Sequence, residues 1–244
     1  MRFAIANHAK IEASPGLIGS CPACGSPVVS KCGRNRVWHW AHKGNRNCDP
    51  WWEPETEWHR SWKAQFPVDQ QEVRQQANDG EWHIADVKTE RSVVFEFQHS
   101  HLALEERISR DAFYGNLIWV VDGTRLKRIA KQFFTGFQSN YPGSLLWRDD
   151  TFHSIRADYC DFPAEWKDCI HPVCFDFNTS GEPKRVWCLF PEDVQGYRIV
   201  RKIEVKELVR LALTSGDPVS RNYFVSIMRN SIQKALHLDL FGTK

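Results

Sequence analysis

The sequence has no long hydrophobic run and almost no net charge. No stretch approaches the roughly 20 apolar residues of a membrane span, and 32 Lys and Arg residues nearly balance 30 Asp and Glu residues, for a net charge of +2. Any basic surface that binds nucleic acid must therefore come from local clustering. The opening residues also lack the apolar core of a signal peptide, so we expect a soluble cytoplasmic protein.

Length and composition favour a globular chain with more than one region. The 244 residues, 42% of them hydrophobic, suffice for one large domain or for two to three small ones. In a cytoplasmic protein, the eight cysteines are expected to be metal ligands or buried thiols rather than disulfides. Changes in composition predict a zinc-knuckle β domain at 1–50, an α/β core at 51–150 and an α+β region at 151–244.

The first region contains a Cys-x-x-Cys-Gly turn, which aims two thiolates at one point. A strand is predicted over 37–41, and two further residues of types that bind zinc, His42 and Cys48, follow its end. The predicted ligands of a structural zinc ion are Cys21, Cys24, His42 and Cys48, with His39 or Cys32 as substitutes. Four protein ligands leave no open position for catalysis. The competing interpretation is that Cys32 and Cys48 are ordinary buried residues and that no metal binds.

In the second region, Asp86 and Glu96 lie ten positions apart, on either side of a predicted turn. The apolar run at 93–97 is typical of a buried strand, so Glu96 and Gln98 project from the same face. A hairpin would bring Asp86 and Glu96 together, and an unpaired buried carboxylate costs roughly several kcal/mol. Two carboxylates beside an amide form a hard oxygen site that suits Mg²⁺ or Mn²⁺.

Helices are predicted on both sides of this hairpin. Pro54 and the acidic residues after it favour a helix start, with Glu55 on the edge of the apolar stripe and Pro67 at the helix end. A second helix is predicted over about 101–114, followed by a buried strand at 117–121. The third region predicts a hairpin over 172–190 and helices near 205–213 and 222–236. Its Cys and His residues are spaced too irregularly to favour a second zinc site: Cys160, Cys169, His171 and Cys174.

Six short motifs, taken in order, resemble the competence protein CoiA-like family. They are Cys21-Pro22-x-Cys24-Gly25, His39-Trp40-Ala41-His42-Lys43, Glu55-Thr56-x-x-His59-x-x-x-Lys63, Ala85-Asp86-Val87, Glu96-Phe97-Gln98-x-Ser100 and Arg110-x-x-x-Tyr114. The resemblance covers residues 1 to about 125. That family is similar to a branch of the PD-(D/E)XK nuclease superfamily, with a zinc-finger-like segment in front. The resemblance therefore implies a restriction-endonuclease-like core, a mixed sheet flanked by helices.

The same resemblance implies an active centre formed by Asp86, Glu96 and Gln98, and Glu55 is similar to the first-helix acidic residue of such nucleases. Gln98 stands where many relatives have lysine. The residues expected to compensate are His59 and Lys63. We expect a metal-dependent deoxyribonuclease in which Asp86, Glu96 and the Phe97 carbonyl hold Mg²⁺ or Mn²⁺. The expected nucleic-acid ligands are Arg107, Arg110 and Tyr114.

Other interpretations of these residues stay open. Asp86 could cap a turn, Glu96 could pair with Arg110, and Glu55 could only offset the helix dipole. Two further functions compete with the nuclease: a nucleic-acid-binding module that has lost turnover, and a zinc-stabilised scaffold that recruits protein partners through 151–244. DNA is the expected substrate, with RNA, single strands, duplexes and branched forms all compatible with the motifs.

Overall fold

The structure is a computed structural model of the 244-residue chain. It describes residues 1–44, 48–51, 53–125, 127–138, 152–156, 164–178, 183–194, 196–227 and 229–230. Their helices and sheets confirm the predicted mixed α/β class. The chain forms two compact units, the first comprising Met1–Glu90 and Val94–Ser100, the second Arg91–Val93 and His101–Lys244. The three-region scheme with boundaries at 50 and 150 stays a prediction.

The first unit begins with five short antiparallel strands. They are β1 (Phe3–Ala6), β2 (Ala9–Glu12), β3 (Ile18–Ser20), β4 (Pro27–Lys31) and β5 (His39–His42), in the sheet order β2-β1-β3-β4-β5. Their core contains Ala4, Val28 and Trp40, and the Trp40 indole N–H donates to the Ile11 carbonyl at 3.0 Å. A core this small is typical of sheets that gain stability from a bound metal ion.

The rest of the first unit supplies a short helix and three antiparallel strands. The elements are α1 (Glu57–Lys63), β6 (Gln71–Gln76), β7 (Trp82–Lys88) and β8 (Val94–Gln98), with β7 between β6 and β8. Residues of β7 alternate between buried and partly exposed, whereas β8 is buried throughout. Val87 pairs with Phe95 and Lys88 with Val94, which confirms the predicted hairpin.

Helix α1 begins later than the sequence predicts. Thr56 is its N-cap: the Thr56 hydroxyl accepts from the His59 backbone N–H at 3.4 Å, and the Thr56 N–H donates to His59 Nδ1 at 3.3 Å. This reciprocal capping satisfies two donors at the helix start. Glu55 therefore lies before the cap, and its predicted place on the helix edge is wrong, because Thr56 caps better than the Pro-Glu pair that precedes it.

The second unit contains the remaining elements, which are α2 (Leu104–Phe113), β9 (Leu117–Asp122), α3 (Lys127–Gln138), β10 (Phe152–Arg156), α4 (Ala164–Lys167), β11 (Val173–Asp176), β12 (Arg185–Val194), β13 (Tyr197–Glu204) and α5 (Val205–Thr214). Its strands follow the order β10-β13-β12-β11-β9, antiparallel except for the parallel pair β11 and β9. Every residue of β9 is buried, as predicted for 117–121. The helix predicted over 222–236 extends beyond the described residues.

Two cysteines of the second unit depart from the prediction. Cys174 and Cys188 face each other across the antiparallel pair β11 and β12 and form a disulfide. The expectation of thiols without disulfides is wrong here, because strand register, which the sequence does not reveal, makes them direct neighbours. Cys160 lies outside the described residues. Among the described helices, none is long and apolar enough to cross a membrane.

Candidate active site and metal cluster

Four side chains of the N-terminal segment form a compact cluster. The members are Cys21, Cys24, His42 and Cys48, whose ligand atoms all lie within 4.8 Å of one another. The Cys21 and Cys48 sulfurs are 3.9 Å apart, and Cys24 Sγ lies 3.3 Å from His42 Nε2. Tetrahedral zinc with Zn–S bonds near 2.3 Å would hold two sulfurs about 3.8 Å apart. The cluster could therefore bind a metal ion such as zinc, and it contains neither His39 nor Cys32.

The three thiols of the cluster differ in their tendency to ionise. Burial raises the pKa of Cys21, and it raises the pKa of Cys48 to about 12. Burial also acts on Cys24, but hydrogen bonds from Ser26 and His42 outweigh it and lower the pKa of Cys24 to about 6. The neutral thiols of Cys21 and Cys48 can therefore lie beside the more acidic Cys24, and a bound divalent cation would deprotonate them.

Asp86 and Glu96 meet across the β7–β8 hairpin. The Asp86 backbone N–H donates to Glu96 Oε1 at 3.3 Å, and the Phe97 N–H donates to Asp86 Oδ2 at 3.0 Å. Each carboxylate is thus held by the backbone of the opposite strand. Glu96 is only 3% exposed, whereas the Asp86 side chain is 25% exposed, so the pair reaches solvent through Asp86.

Lys63, at the end of α1, lies among three carboxylates. Its Nζ is 3.1 Å from Glu55 Oε1, 3.2 Å from Glu72 Oε1 and 3.4 Å from Asp86 Oδ1. Burial lowers the pKa of Lys63, but the three carboxylates, with Glu72 foremost, outweigh burial and raise that pKa above its ordinary value. The ammonium therefore stays protonated, and it holds Glu55 and Asp86 near a common point.

Glu72, on β6, is a member of this site that the sequence did not indicate. Its carboxylate accepts the backbone N–H of Arg2 at 2.7 Å and that of Phe3 at 3.1 Å. Burial raises the pKa of Glu72, but Lys63, the chain's amino group and these N–H donors lower it to about 2. Glu72 also has a φ of 48°, in the left-handed region that residues other than glycine seldom adopt outside functional sites. The polar run at 71–76 gave no signal for a buried glutamate.

Glu53 is the second site residue that sequence reasoning missed. Its Oε2 accepts from Gln98 Nε2 at 2.9 Å, and its Oε1 accepts from the Ser100 backbone N–H at 2.7 Å. His59 Nε2 lies 3.8 Å from Glu53 Oε1, which is too long for a hydrogen bond. Burial raises the pKa of Glu53, but His59 and Ser100 outweigh it and lower that pKa below its ordinary value. Gln98 therefore faces a largely buried carboxylate.

The predicted nucleic-acid ligands belong to α2 and the residue after it, in the second unit. Arg107 is paired with Asp111 and Arg110 with Glu106, and both arginines are at most 6% exposed. Tyr114 is only 2% exposed. The guanidinium groups therefore pair with carboxylates of their own helix, which does not favour phosphate binding. The assignment of Arg107, Arg110 and Tyr114 as nucleic-acid ligands stays a prediction.

A carboxylate directly after Cys48 connects the cysteine cluster to β7. Asp49 Oδ2 accepts the Ile84 backbone N–H at 2.6 Å, and its Oδ1 lies 2.9 Å from His83 Nδ1. Asp49 is 5% exposed. Two residues beyond Ile84, the same strand carries Asp86, so the segment that supplies a cluster ligand also fixes the strand of the carboxylate site.

The fold and the cluster define a mixed α/β protein whose N-terminal segment carries a Cys₃His cluster that could bind a metal ion. Residues 20–50, the segment that supplies all four cluster ligands, match the family model of the competence protein CoiA, N-terminal domain. This match confirms the predicted resemblance for that segment. No curated protein and no solved structure gives a significant match to the chain.

Proposed function

We propose that the chain is a divalent-metal-dependent nuclease that hydrolyses phosphodiester bonds of DNA, with a PD-(D/E)XK-like core. The observation that carries this proposal is the pairing of Asp86 and Glu96 across a hairpin, next to a lysine held by further carboxylates. Buried acidic groups of this kind are expensive to maintain and are typical of metal-dependent sites. The proposed setting is the cytoplasm, as the sequence predicts.

The donor chemistry fits Mg²⁺ or Mn²⁺. All the acidic groups at this site offer hard oxygen atoms, and both buried Glu55 oxygens lack a hydrogen bond of good geometry, although Lys63 lies close. Asp86, Glu96 and the Phe97 carbonyl would hold the ion, with Glu55 near it. Within the described residues the Cys₃His cluster is the one compact ligand set, so the carboxylates must rearrange around Lys63 to bind the ion.

The residues of the chain have separate roles in this proposal. When bound, the ion polarises the phosphoryl oxygen and lowers the pKa of a ligand water. Asp86 and Glu96 each accept a backbone N–H of the opposite strand, which would keep the two carboxylates on one face of the hairpin while they rearrange around Lys63. Lys63 stays protonated and cannot act as a general base; its charge offsets the negative charge of the phosphate. His59 Nδ1 is engaged by the N-cap, which leaves Nε2 as its proton-carrying nitrogen.

A cleavage panel tests the proposal. Labelled single-stranded, duplex and branched DNA, with matching RNA, are incubated with the protein, with and without Mn²⁺. We expect Mn²⁺-dependent cleavage of DNA that falls by roughly a hundredfold or more in Glu96→Ala. Glu90→Gln, an exposed change in the same hairpin, is the matched control and should cleave normally. Equal activity of Glu96→Ala and the parent protein would refute the site.

The second candidate function is a nucleic-acid-binding module without turnover. Lys63 already offsets part of the negative charge of the carboxylates, and Gln98 stands where many relatives have lysine, so the site can be stable without a catalytic ion. Binding of DNA without cleavage at any Mn²⁺ concentration would favour this alternative. Recruitment of protein partners through 151–244 remains a third proposal, which deletion of that region in a cleavage assay would separate from a catalytic role.

A further inference from the structure

Gln98 lies at the position where a lysine donor would be expected, and its amide is fixed in one orientation. Its Nε2 donates to Glu53 Oε2 at 2.9 Å and to the Ser100 carbonyl at 3.0 Å. Both partners can only accept, because Glu53 is ionised and a carbonyl has no proton. Rotating the amide by 180° would place Oε1 against two acceptors, so the observed orientation is the one that the chemistry permits.

This orientation uses both N–H protons of the Gln98 side chain. The remaining polar atom is Oε1, an acceptor with two lone pairs. Gln98 and Glu96 are two residues apart on β8, so their side chains leave the same face of the strand. Glu96 meets Asp86 on that face. The amide oxygen of Gln98 is therefore a third oxygen on the face that carries the Asp86 and Glu96 pair.

Glu53 is itself held firmly enough to position another group. The Ser100 backbone N–H donates to its Oε1 at 2.7 Å, and the His59 imidazole lies beside the same oxygen. The Glu53 side chain is 16% exposed and Gln98 is 4% exposed. A largely buried carboxylate that accepts from a buried amide costs more to desolvate than a neutral partner would. The contact of this carboxylate with Nε2 therefore fixes the orientation of the amide.

We propose that Glu53 is a positioning residue that holds the Gln98 amide so that Oε1 serves as a neutral ligand of the divalent ion. Gln98 then acts as an oxygen donor instead of replacing a lysine, and the positive charge comes from Lys63. Carboxamide oxygens are ordinary ligands of hard divalent cations. This inference rests on the proposed function for the identity of the ion.

The test measures Mn²⁺ affinity by isothermal titration, with zinc already bound and with Asp86→Ala as the measure of unspecific binding. The informative variants are Gln98→Lys, which restores the expected lysine, Gln98→Met, which removes the oxygen without adding charge, and Glu53→Gln, which removes the anchor. Gln76→Lys adds the same charge at an exposed position of β6 and is the matched control. Thermal unfolding and zinc content are measured for each variant, so that a misfolded variant is recognised and excluded. If Gln98→Lys misfolds, the Mn²⁺ affinities of Gln98→Met and Glu53→Gln decide whether the proposal holds.

We expect Gln98→Lys and Gln98→Met to weaken Mn²⁺ binding by about a hundredfold, and Glu53→Gln by about tenfold, with Gln76→Lys unchanged. Binding as tight as in the parent protein for Gln98→Met or Glu53→Gln would overturn the proposal, as would tighter binding or faster cleavage for Gln98→Lys. If Mn²⁺ binding depends on Asp86 and the variants weaken it in this order, the assignment of Gln98 as a ligand is supported. If DNA is not cleaved at the same time, the nuclease proposal is refuted. A parent protein that binds no Mn²⁺ through Asp86 would overturn both.

Discussion

Two clusters of polar side chains in the first unit are assembled in opposite ways. The Cys₃His cluster brings its ligand atoms within 4.8 Å of one another with no cationic side chain among them. The carboxylate site instead surrounds the Lys63 ammonium. The difference follows from acid–base chemistry. The raised pKa values of Cys21 and Cys48 keep these two thiols neutral, so they can lie beside the more acidic Cys24, whereas charged carboxylates repel one another unless a cation lies between them.

This comparison predicts that the cysteine cluster depends on a metal ion more strongly than any other feature. Cys24→Ser should lower the zinc content well below one ion per chain and unfold the N-terminal sheet, because structural zinc contributes about 10–16 kcal/mol of binding free energy at pH 7. Zinc content by mass spectrometry and thermal unfolding provide the measurement. Cys32→Ser is the control and should retain zinc. If both variants hold one ion per chain, the ligand set differs from this cluster.

The carboxylate site should depend first on its own lysine. Lys63→Met leaves Glu55, Glu72 and Asp86 without their shared cation, so we expect the free energy of unfolding to fall by about 3–5 kcal/mol. Mn²⁺ should restore part of that loss, because it can occupy the vacated centre. Urea unfolding with and without Mn²⁺ measures both effects. The exposed Lys31→Met is the control. A loss below about 1 kcal/mol would mean that the site does not need a cation.

Acid should weaken the carboxylate site through Glu72. Its folded-state pKa of about 2 lies below the ordinary value of 4.5, so its ion pair stabilises the fold above about pH 4.5 and is lost as the pH falls toward 2. The expected contribution is up to roughly 3 kcal/mol. Urea unfolding of the parent protein and of Glu72→Gln should therefore differ most near pH 7 and converge near pH 2. A difference that is constant with pH would contradict this assignment.

The smallest effect is expected at the start of the helix that carries Lys63. Thr56→Ala removes the hydroxyl that caps α1 and should cost about 1 kcal/mol in the free energy of unfolding. Thr56→Ser keeps the hydroxyl and serves as the control. Chemical denaturation distinguishes the two variants. Equal stability of Thr56→Ala and Thr56→Ser would show that packing, and not capping, holds α1 in place.

Local patterns predicted part of this structure. The Cys-x-x-Cys-Gly turn indicated the metal cluster, and the apolar run before Gln98 indicated the strand that brings Glu96 to Asp86. Glu53 and Glu72 could not be found in this way, because neither lies on a periodic apolar pattern and their partners are remote in sequence. The Cys174–Cys188 disulfide could not be predicted either, because it depends on the register of β11 and β12, which the sequence does not reveal. The guanidinium groups of Arg107 and Arg110 looked available for phosphate because sequence spacing does not reveal burial.

The contacts of Asp49 and Glu72 bear on how this protein can be divided for study. A fragment that starts at residue 51 would remove the backbone donors of Arg2 and Phe3 from Glu72, and the carboxylate of Asp49 from β7. Fragments cut at the edge of the cysteine-rich segment should therefore be poorly expressed or insoluble, even though the segment looks like a separable module. Truncation series and chimaeras are best designed with the N-terminal sheet retained.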